Sequence, residues 1–254
     1  MKALVFAAGY GTRLGEITRT LPKALVPAGG VPMLQRVIFK LRDAGFREIV
    51  VNACHLADKI QRFLEDNGNF GMDIKLSLEP GPEPFETGGG IKFARPLLED
   101  REPFLAYNVD ILSDADLRGF VSSARRDALA TLLVREPSPK DNRFFLFDSD
   151  MRLAGWTNVT TGEVRGRISR AGDYRRMSFC GIHLISQQVF PLLQDWPERF
   201  SITDFYIKEA AEHPVYGVSA GALNLIDIGS PASLAEADAY FSRMYTSSPG
   251  SAKP

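Results

Sequence analysis

The amino-acid sequence predicts an α/β fold, a Rossmann-like three-layer α/β/α arrangement built on a mainly parallel, mixed sheet. Short apolar runs, such as residues 3–6 and 48–54, are typical of strands buried on both faces of such a sheet. Helix-period patterns, such as 32–45 and 57–67, alternate with these runs, which predicts helices on both faces. A glycine-rich turn follows the first run directly, at a position where such folds bind ligands.

The composition is that of an ordinary globular chain, with 44% hydrophobic and 24% charged residues. A formal net charge of −1 argues against nucleic acid or an anionic membrane as partner, because both favour a strong basic excess. No apolar run approaches the roughly 20 residues of a membrane span, and the N-terminal residues lack a signal-peptide pattern. Cys54 and Cys180 lie in apolar runs and are expected to be reduced thiols, which fits a cytoplasmic location.

Residues 7–13, AAGYGTR, form a loop suited to binding an anion. Gly9 and Gly11 let the backbone turn tightly and bring its N–H groups close to a ligand, because no Cβ stands in the way. Arg13 adds a planar charged fork suited to phosphate. The spacing is wrong for a P-loop, and Gly15 comes one residue late for the dinucleotide fingerprint. A plain tight turn is the alternative interpretation of the glycine pair.

The next elements continue the alternation. We expect, in order, a helix at 32–45, a strand at 48–54, a helix at 57–67 and a strand at 74–79. A loop rich in proline and glycine follows, and Thr87 is predicted to cap the helix after it. A loop at a helix N-terminus is a natural anion site, although the prolines would also explain a merely rigid connection.

Residues 104–112 are predicted to form the central strand, apolar except for Asn108 and Asp110 near its end. A carboxylate at the C-terminal end of a parallel strand lies where open α/β sheets place their ligands. Because an uncompensated buried carboxylate is costly, Asp110 should face a cleft or a metal ion. An aspartate that merely begins a turn is the alternative. A helix at 114–126 and a strand at 128–135 are expected next.

Residues 137–180 are predicted to form an antiparallel β excursion, because short apolar segments alternate there with turn residues. Its arginines are expected to form a solvated face, with a phosphate contact as the alternative; they are Arg165, Arg167, Arg170, Arg175 and Arg176. The strand 177–186 should contain a kink at Gly181 and a structural imidazole at His183. Helices are expected at 187–195, 202–213 and 231–240, and strands at 215–219 and before Asp227. One domain, 1–245, and a flexible tail, 246–254, complete the chain.

Two motifs in the first part of the chain occur together. The loop G-Y-G-T-R-L, residues 9–14, precedes P-K-A-L-V-P, residues 22–27, in the order and at the separation found in sugar-1-phosphate nucleotidylyltransferases. The sequence resembles that family over about residues 1–240. Further family segments match at 83–89, 108–110, 179–182 and 227–230. The resemblance also implies that the excursion 137–180 lies toward the sugar side. The departures are Phe85 for the usual leucine, Val109 for glycine and Leu225 for tryptophan.

The resemblance implies a GT-A-like fold of the nucleotide-diphospho-sugar transferase type. It implies transfer of a nucleoside monophosphate from a nucleoside triphosphate to a sugar 1-phosphate, with release of pyrophosphate. It further implies Mg²⁺ as cofactor, held by Asp110 and Asp227, while Arg13 stabilises the departing pyrophosphate and Lys23 bridges the phosphates. The implied binding residues are Ala8, Gly9, Gly11, Thr12 and Glu79 for the nucleotide, and Glu86, Asn108 and Gly181 for the sugar phosphate.

The base and the sugar stay open at this stage. The segment E-T-G-G-G looks most like the N-acetylmuramate-1-phosphate uridylyltransferases, which favours UTP and an amino-sugar phosphate. The mannose-1-phosphate guanylyltransferases share E-P-x-x-T-x-G, and the carboxylate of Glu79 has the acceptors to pair with guanine. A non-catalytic nucleotide-sugar-binding paralogue is disfavoured because Lys23 and both aspartates are present. A glycosyltransferase would leave the G-T-R loop little to bind, and a homo-oligomer is compatible with the sequence.

Overall fold

The computed structural model describes residues 1–246, in which a central mixed sheet of ten strands lies between two layers of helices. The tail predicted at 246–254 lies outside the described residues, apart from Thr246 at the end of the last helix. Within residues 1–246, no helix combines the length and the apolar character needed to cross a bilayer.

The strands and helices alternate along the chain as predicted. The strands are β1 (Ala3–Phe6), β2 (Pro27–Ala28), β3 (Val31–Pro32), β4 (Glu48–Ala53), β5 (Asp73–Leu78), β6 (Phe104–Asn108), β7 (Ile111–Ser113), β8 (Ala130–Arg135), β9 (Arg143–Phe147), β10 (Leu153–Asn158), β11 (Glu163–Gly166), β12 (Arg175–Ile185), β13 (Val215–Ser219) and β14 (Leu225–Asp227). The helices are α1 (Ile17–Thr20), α2 (Met33–Asp43), α3 (Ala57–Asp66), α4 (Glu86–Phe93), α5 (Arg95–Leu98), α6 (Leu117–Ser123), α7 (Val189–Leu193), α8 (Ile202–Glu209) and α9 (Pro231–Thr246).

The topology of the central sheet confirms the mixed sheet that the sequence predicts. Its order is β11-β10-β9-β12-β6-β1-β4-β5, and β8 pairs with both β12 and β13. The strands β6, β1, β4 and β5 run parallel to one another, whereas β12 runs antiparallel to β6, β8 and β9. The predicted antiparallel excursion is formed by β9, β10 and β11.

Alternate residues of β1 enter the two apolar cores on opposite faces of the sheet. Ala3 and Val5 pack in one core with side chains of α2, α3 and α6. Leu4 packs in the other core with side chains of α4, α7 and α8. Because successive side chains of a strand point to opposite faces, a strand covered on both sides is apolar throughout. This explains the unbroken hydrophobic run at the start of the chain.

The central strand predicted at 104–112 is broken, which corrects the sequence-based expectation. β6 ends at Asn108, and β7 leaves the central sheet to pair with β14 in a separate antiparallel ribbon. The break was invisible in the sequence because Val109 and Ile111 on either side of Asp110 are both buried. Asp110 therefore lies at the junction between the central sheet and the small ribbon.

Helix α6 is shorter than the predicted 114–126, because Asp116 ends the preceding loop. Its side chain accepts a hydrogen bond from the Gly119 N–H at 3.0 Å, which satisfies a free donor of the first turn. Ser201 caps α8 in the same way by accepting from the Thr203 N–H at 3.2 Å. Short polar side chains thus set where these two helices begin.

Candidate functional site

A cavity of about 350 Å³ opens at the C-terminal ends of β1 and β6. It is lined by Phe6, Ala7, Ala8, Gly9, Tyr10, Gly11, Thr12, Lys23, Asn52, Pro84, Glu86, Thr87, Asn108, Val109 and Asp110. Most of the site residues predicted from the sequence are among them. A larger cavity of about 750 Å³ lies between α2, β7 and α6, and no predicted site residue lines it. We therefore place the candidate site in the smaller cavity.

The two glycines of the first loop serve different purposes. Gly11 has a φ of +65°, and a Cβ there would lie 2.9 Å from Cβ of Lys23, so glycine permits both the turn and the close approach of Lys23. A Cβ at Gly9 would meet no atom within 4 Å. Protein packing therefore does not require glycine at Gly9, and its bare backbone faces space that a ligand can enter.

Lys23 forms an ion pair with Asp110 at the wall of the cavity. Lys23 begins a short 3-10 turn after Pro22, and this turn directs its side chain toward the end of β6. The two side chains are only 14% and 20% exposed, so water screens this pair less than it screens a surface ion pair. The ammonium group is thereby held beside the carboxylate that the sequence predicts to bind metal.

Asp227 joins Asp110 through the ribbon of β7 and β14. In that ladder Asp227 lies opposite Ile111, and the N–H of Ile228 donates to the carbonyl of Asp110 at 2.8 Å. Partial desolvation, followed by the negative charge of Asp110, raises the pKa of Asp227, while Lys23 and Arg13 oppose this shift. Chain segments from four parts of the sequence thus bring two carboxylates and two cations together.

This donor set fits a divalent cation. Mg²⁺ is commonly bound through one or two carboxylates, with water and substrate phosphates as the other ligands. Residues 1–246 contain no group of three or more His, Cys, Asp or Glu side chains arranged to hold a metal ion by themselves. Burial and, after it, repulsion by Asp110 raise the pKa of Asp227, and a cation between the two carboxylates would remove the repulsion.

Gly181 provides room for Asn108 at the end of β6. Gly181 has a φ of +71° and lies in the stretch where the register between β12 and β8 shifts, which confirms the predicted kink. A Cβ at Gly181 would lie 3.0 Å from Nδ2 of Asn108 and 2.9 Å from Cγ1 of Ile111. Asn108 lines the cavity, and Gly181 lies behind it.

Glu79 supports the proline loop, residues 79–85, from within the protein. It is only 6% exposed, and its two carboxylate oxygens accept from Asn52 Nδ2 at 2.8 Å and from the Phe85 N–H at 2.7 Å. Burial raises the pKa of Glu79, and these two hydrogen bonds oppose the shift. Both oxygens are therefore committed to holding the loop, and a contact of Glu79 with a base stays a prediction.

The prediction that Thr87 caps α4 is wrong. Thr87 lies within the first turn of α4, and its Oγ1 accepts from the N–H of Ile202, so it caps α8 instead. The N–H of Gly88 donates to the carbonyl of Phe200 at 2.9 Å. The rigid connection, and not an anion site, is therefore the interpretation that fits these first-turn donors. Glu86, which begins α4 with a φ of +62°, faces the cavity.

The run of three glycines in α4 allows close packing on both sides of the helix. A Cβ at Gly88 would overlap the ring of Phe200, and one at Gly89 would overlap the carbonyl oxygen of Glu198. A Cβ at Gly90 would lie 3.1 Å from Oε1 of Glu79. Residues 198–202, here called the crossing segment, therefore lie directly against the helix that borders the cavity.

The arginine-rich region is held largely by structural contacts. Arg165 pairs with Asp204 at 2.7 Å and stacks over the ring of Trp156 at 4.4 Å. Arg175 forms an ion pair with Glu136. These arginines serve the excursion and its contact with α8, and a phosphate contact in this region stays a prediction.

His183 behaves as the structural imidazole expected from the sequence. It is fully buried, its Nδ1 lies 2.6 Å from the hydroxyl of Tyr206, and burial lowers its pKa to about 3. Cys54 and Cys180 are both free thiols, as expected.

Three residues of the site were missed by sequence reasoning. Asn52 is a polar residue in a buried strand, and such a side chain needs a hydrogen-bond partner, so its position was an available signal. Arg199 pairs with Glu83 and, at 3.3 Å, with Glu86, and Phe200 covers the start of α4. Nothing in the local sequence marked the crossing segment, because its partner lies far away along the chain.

Comparison with known proteins places these features in a family. A sequence model described as nucleotidyl transferase matches residues 2–149. The N-acetylmuramate alpha-1-phosphate uridylyltransferase of Neisseria meningitidis is 36% identical over 190 residues, which cover 72% of this chain and 78% of that protein. A mannose-1-phosphate guanyltransferase of Gibberella zeae is 36% identical over 144 residues, which cover 54% of this chain and 39% of that protein. This chain thus spans well under half the length of that second relative.

Solved structures support the same fold. A UDP-glucose pyrophosphorylase complexed with UDP-glucose aligns with a TM-score of 0.76 at 16% identity, covering 96% of this chain and 98% of that chain. The HddC protein of Yersinia pseudotuberculosis, complexed with GMP-PN, aligns with a TM-score of 0.75 at 23% identity, covering 94% of this chain and 99% of that chain. The GT-A-like architecture expected from the sequence is confirmed.

Proposed function

This chain belongs to the nucleotidyl transferase family as a sugar-1-phosphate nucleotidylyltransferase, and we propose that it transfers UMP from UTP to an amino-sugar 1-phosphate such as N-acetylmuramate 1-phosphate. The products are the UDP-sugar and pyrophosphate. The observation that carries the proposed chemistry is the convergence of Lys23, Asp110, Asp227 and Arg13 beside the glycine loop.

The reaction needs charge neutralisation more than proton transfer. A phosphate oxygen of the sugar 1-phosphate attacks the α-phosphorus of the nucleotide, and the bond from that phosphorus to the oxygen of the β-phosphate breaks. The departing pyrophosphate keeps the bonding electron pair. Since the nucleophile is already an anion, no general base is required, and the protein contributes positioning and positive charge.

We assign these tasks to residues that line the cavity and to Arg13, Glu79 and Gly181, which lie outside its lining. Lys23 lies between the glycine loop and the end of β6, a position from which its ammonium group can bridge the phosphates of the two substrates. Arg13 is placed to stabilise the departing pyrophosphate through its planar fork. The predicted nucleotide contacts are the backbone of Ala8, Gly9, Gly11 and Thr12, with Glu79 beside the base. The predicted sugar contacts are Glu86, Asn108 and Gly181.

Magnesium is the cation we propose for this site, with Asp110 and Asp227 as its protein ligands. Bound there, it would polarise the α-phosphate and neutralise its charge. The contribution that we propose for the two aspartates is electrostatic. Asp110 lies just before β7 and Asp227 ends β14, so the pairing of these two strands holds the two carboxylates near each other.

The choice of UTP and an amino sugar rests on the extent of the similarity. The N. meningitidis uridylyltransferase matches over 72% of this chain, whereas the guanylyltransferase of G. zeae matches over 54%. The commitment of both Glu79 oxygens to Asn52 and Phe85 also leaves that carboxylate less available to the paired donors of guanine. GTP with mannose 1-phosphate is the second candidate, favoured by the shared E-P-x-x-T-x-G segment.

A pyrophosphate-release assay tests these proposals. The protein is mixed with Mg²⁺, with each of UTP, GTP, CTP and dTTP, and with a panel of sugar 1-phosphates, and Asp110→Asn serves as the isosteric inactive control. Highest turnover with UTP and N-acetylmuramate 1-phosphate supports the proposal. Turnover confined to GTP and mannose 1-phosphate supports the second candidate instead. Nucleotide-sugar binding without release from any pair would identify a non-catalytic paralogue.

A further inference from the structure

Helix α9 joins the two halves of the proposed metal and phosphate site. It begins shortly after Asp227, and it lies across the hairpin of β2 and β3, which follows Lys23 closely in the chain. We propose that α9 is a brace that fixes the position of Asp227 relative to Lys23, and that Asp238 and Phe241 are its positioning residues. This inference rests on the proposed function for its catalytic consequence.

The first contact of the brace is with the turn of the hairpin. The N–H of Gly29 donates to Oδ1 of Asp238 at 2.6 Å. Gly29 has a φ of +56°, and a Cβ there would lie 2.6 Å from Cβ of Phe241, so the side chain of Phe241 packs directly on the turn. Only glycine allows both this backbone conformation and this close contact.

A second contact fixes the same turn from the side of α2. Nε of Arg36 donates to the carbonyl of Ala28 at 2.9 Å. The guanidinium carbon of Arg36 lies 3.6 Å from the centre of the Phe241 ring, within the range of a cation–π contact. Phe241 therefore lies between the turn of the hairpin and Arg36 on α2, and both contacts hold α9 to the segment that carries Lys23.

Helix α9 also packs against the residues on either side of Asp227. A small apolar core contains Ala28 and Met33 from the hairpin side, Ala237 from α9, and Ile228, with Ile226 packed against it. Side chains alternate along an extended chain, so burying Ile226 and Ile228 on one side turns Asp227 to the other. Ile228 also donates its N–H to the carbonyl of Asp110, which ties this core to the other carboxylate.

Loss of the brace should increase backbone hydrogen exchange in the two segments that it joins, which can be measured independently of activity. Hydrogen exchange measured by mass spectrometry on Phe241→Ala and Asp238→Ala should show faster exchange both in 27–32 and in 225–230. Asp238→Asn keeps the acceptor oxygen and should restore protection. Glu236→Ala removes another exposed acidic side chain of α9, which pairs with Lys140, and should leave both segments unchanged. Faster exchange confined to α9 itself would overturn the proposal.

Activity provides the second readout. Asp238→Ala should lower kcat about tenfold and raise the Mg²⁺ concentration for half-maximal rate, because small displacements of catalytic groups cost one to two orders of magnitude. Asp238→Asn should recover most of this loss. Normal kinetics in both Asp238→Ala and Phe241→Ala would overturn the brace while leaving the proposed function intact. If the unmodified protein released no pyrophosphate from any substrate pair, the proposed function would fail, and hydrogen exchange would still decide on the brace.

Discussion

Arg13 reaches Asp227 over the surface of Gly229: its Nη2 atom lies 3.9 Å from Oδ2 of Asp227, and a Cβ at Gly229 would overlap that same Nη2. The guanidinium group and the carboxylate are both well exposed, so this ion pair contributes little to folding stability. Its importance lies in where it holds the fork of Arg13, next to the glycine loop and beside the carboxylate of Asp227.

Gly229→Ala should therefore impair catalysis without unfolding the protein. The added methyl group meets the flexible end of Arg13, which can swing away, and lies 3.0 Å from Oδ1 of Asp227. The backbone at Gly229 is not in the left-handed region. We expect kcat/KM for the nucleotide to fall about tenfold, since one charge-assisted phosphate contact is displaced. Steady-state kinetics and a thermal melt measure the two effects. Gly172→Ala, where a Cβ meets no atom within 4 Å, is the matched control. A wild-type kcat/KM in Gly229→Ala would remove Arg13 from the mechanism.

Lys23→Ala should reduce kcat by about 10²-fold or more, as expected for the loss of preorganised positive charge at a reacting phosphate. It also leaves Asp110 without its ion-pair partner, so thermal stability should fall modestly. Pyrophosphate release under saturating substrates measures the effect. Lys75→Ala, which removes an exposed lysine on β5, should be neutral in both assays. Turnover close to that of the unmodified protein in Lys23→Ala would exclude the proposed bridging role.

Gly181→Ala should weaken binding of the sugar phosphate through Asn108. The new Cβ would lie 3.0 Å from Nδ2 of Asn108, in a position with a φ of +71°. Gly221→Ala carries the same kind of backbone strain, with a φ of +63°, but a Cβ there meets no atom within 4 Å. Both variants should lose about 1–2 kcal/mol of stability from the strain. Only Gly181→Ala should raise the KM for the sugar phosphate severalfold, and an equal rise in both would argue against the contact.

His183 should make folding stability depend on pH below neutrality. Its pKa is lowered from 6.5 to about 3 by burial, so the unfolded chain binds a proton that the folded chain excludes. The contribution is complete above the unfolded pKa and is lost as pH falls through 6.5 toward 3, at about 1.4 kcal/mol per pH unit. Urea unfolding at about pH 7 and pH 5 measures this slope. His183→Leu should reduce the slope, and a slope equal to that of the unmodified protein would contradict the assignment.

Much of the fold and of the glycine-loop side of the site could be predicted because the relevant signals are local. The apolar run of β1 reflects burial on both faces of the sheet, and the helical spacing of apolar residues in α2 reflects burial of one helix face. Gly11 and Lys23 follow each other closely in the chain, so their contact is encoded in one short stretch. Asp110 and Asp227 were predicted to meet only through the family resemblance, and β7 and β14 supply the physical link.

The parts that sequence reasoning missed depend on contacts between distant segments. The break after Asn108 lies inside an apolar run, and only the pairing of β7 with β14 reveals it. Threonine is a common helix-capping residue, but the hydroxyl of Thr87 accepts a hydrogen bond from the N–H of Ile202, far along the chain. No local propensity encodes such a partner, so the cap formed by Thr87 was assigned to α4 and not to α8.

The crossing segment changes how the run of glycines in α4 should be interpreted in related sequences. The ring of Phe200 and the carbonyl of Glu198 leave no room for a Cβ at Gly88 and Gly89, and Asn52 and Glu79 pack closely against Gly90. Substitutions there should therefore covary with the residues that press against the helix, independently of which sugar is recognised. A classification of substrates based on these three glycines would group proteins by how α4 packs and not by which sugar they bind. Residues whose side chains face the cavity, such as Glu86 and Asn108, should discriminate substrates better.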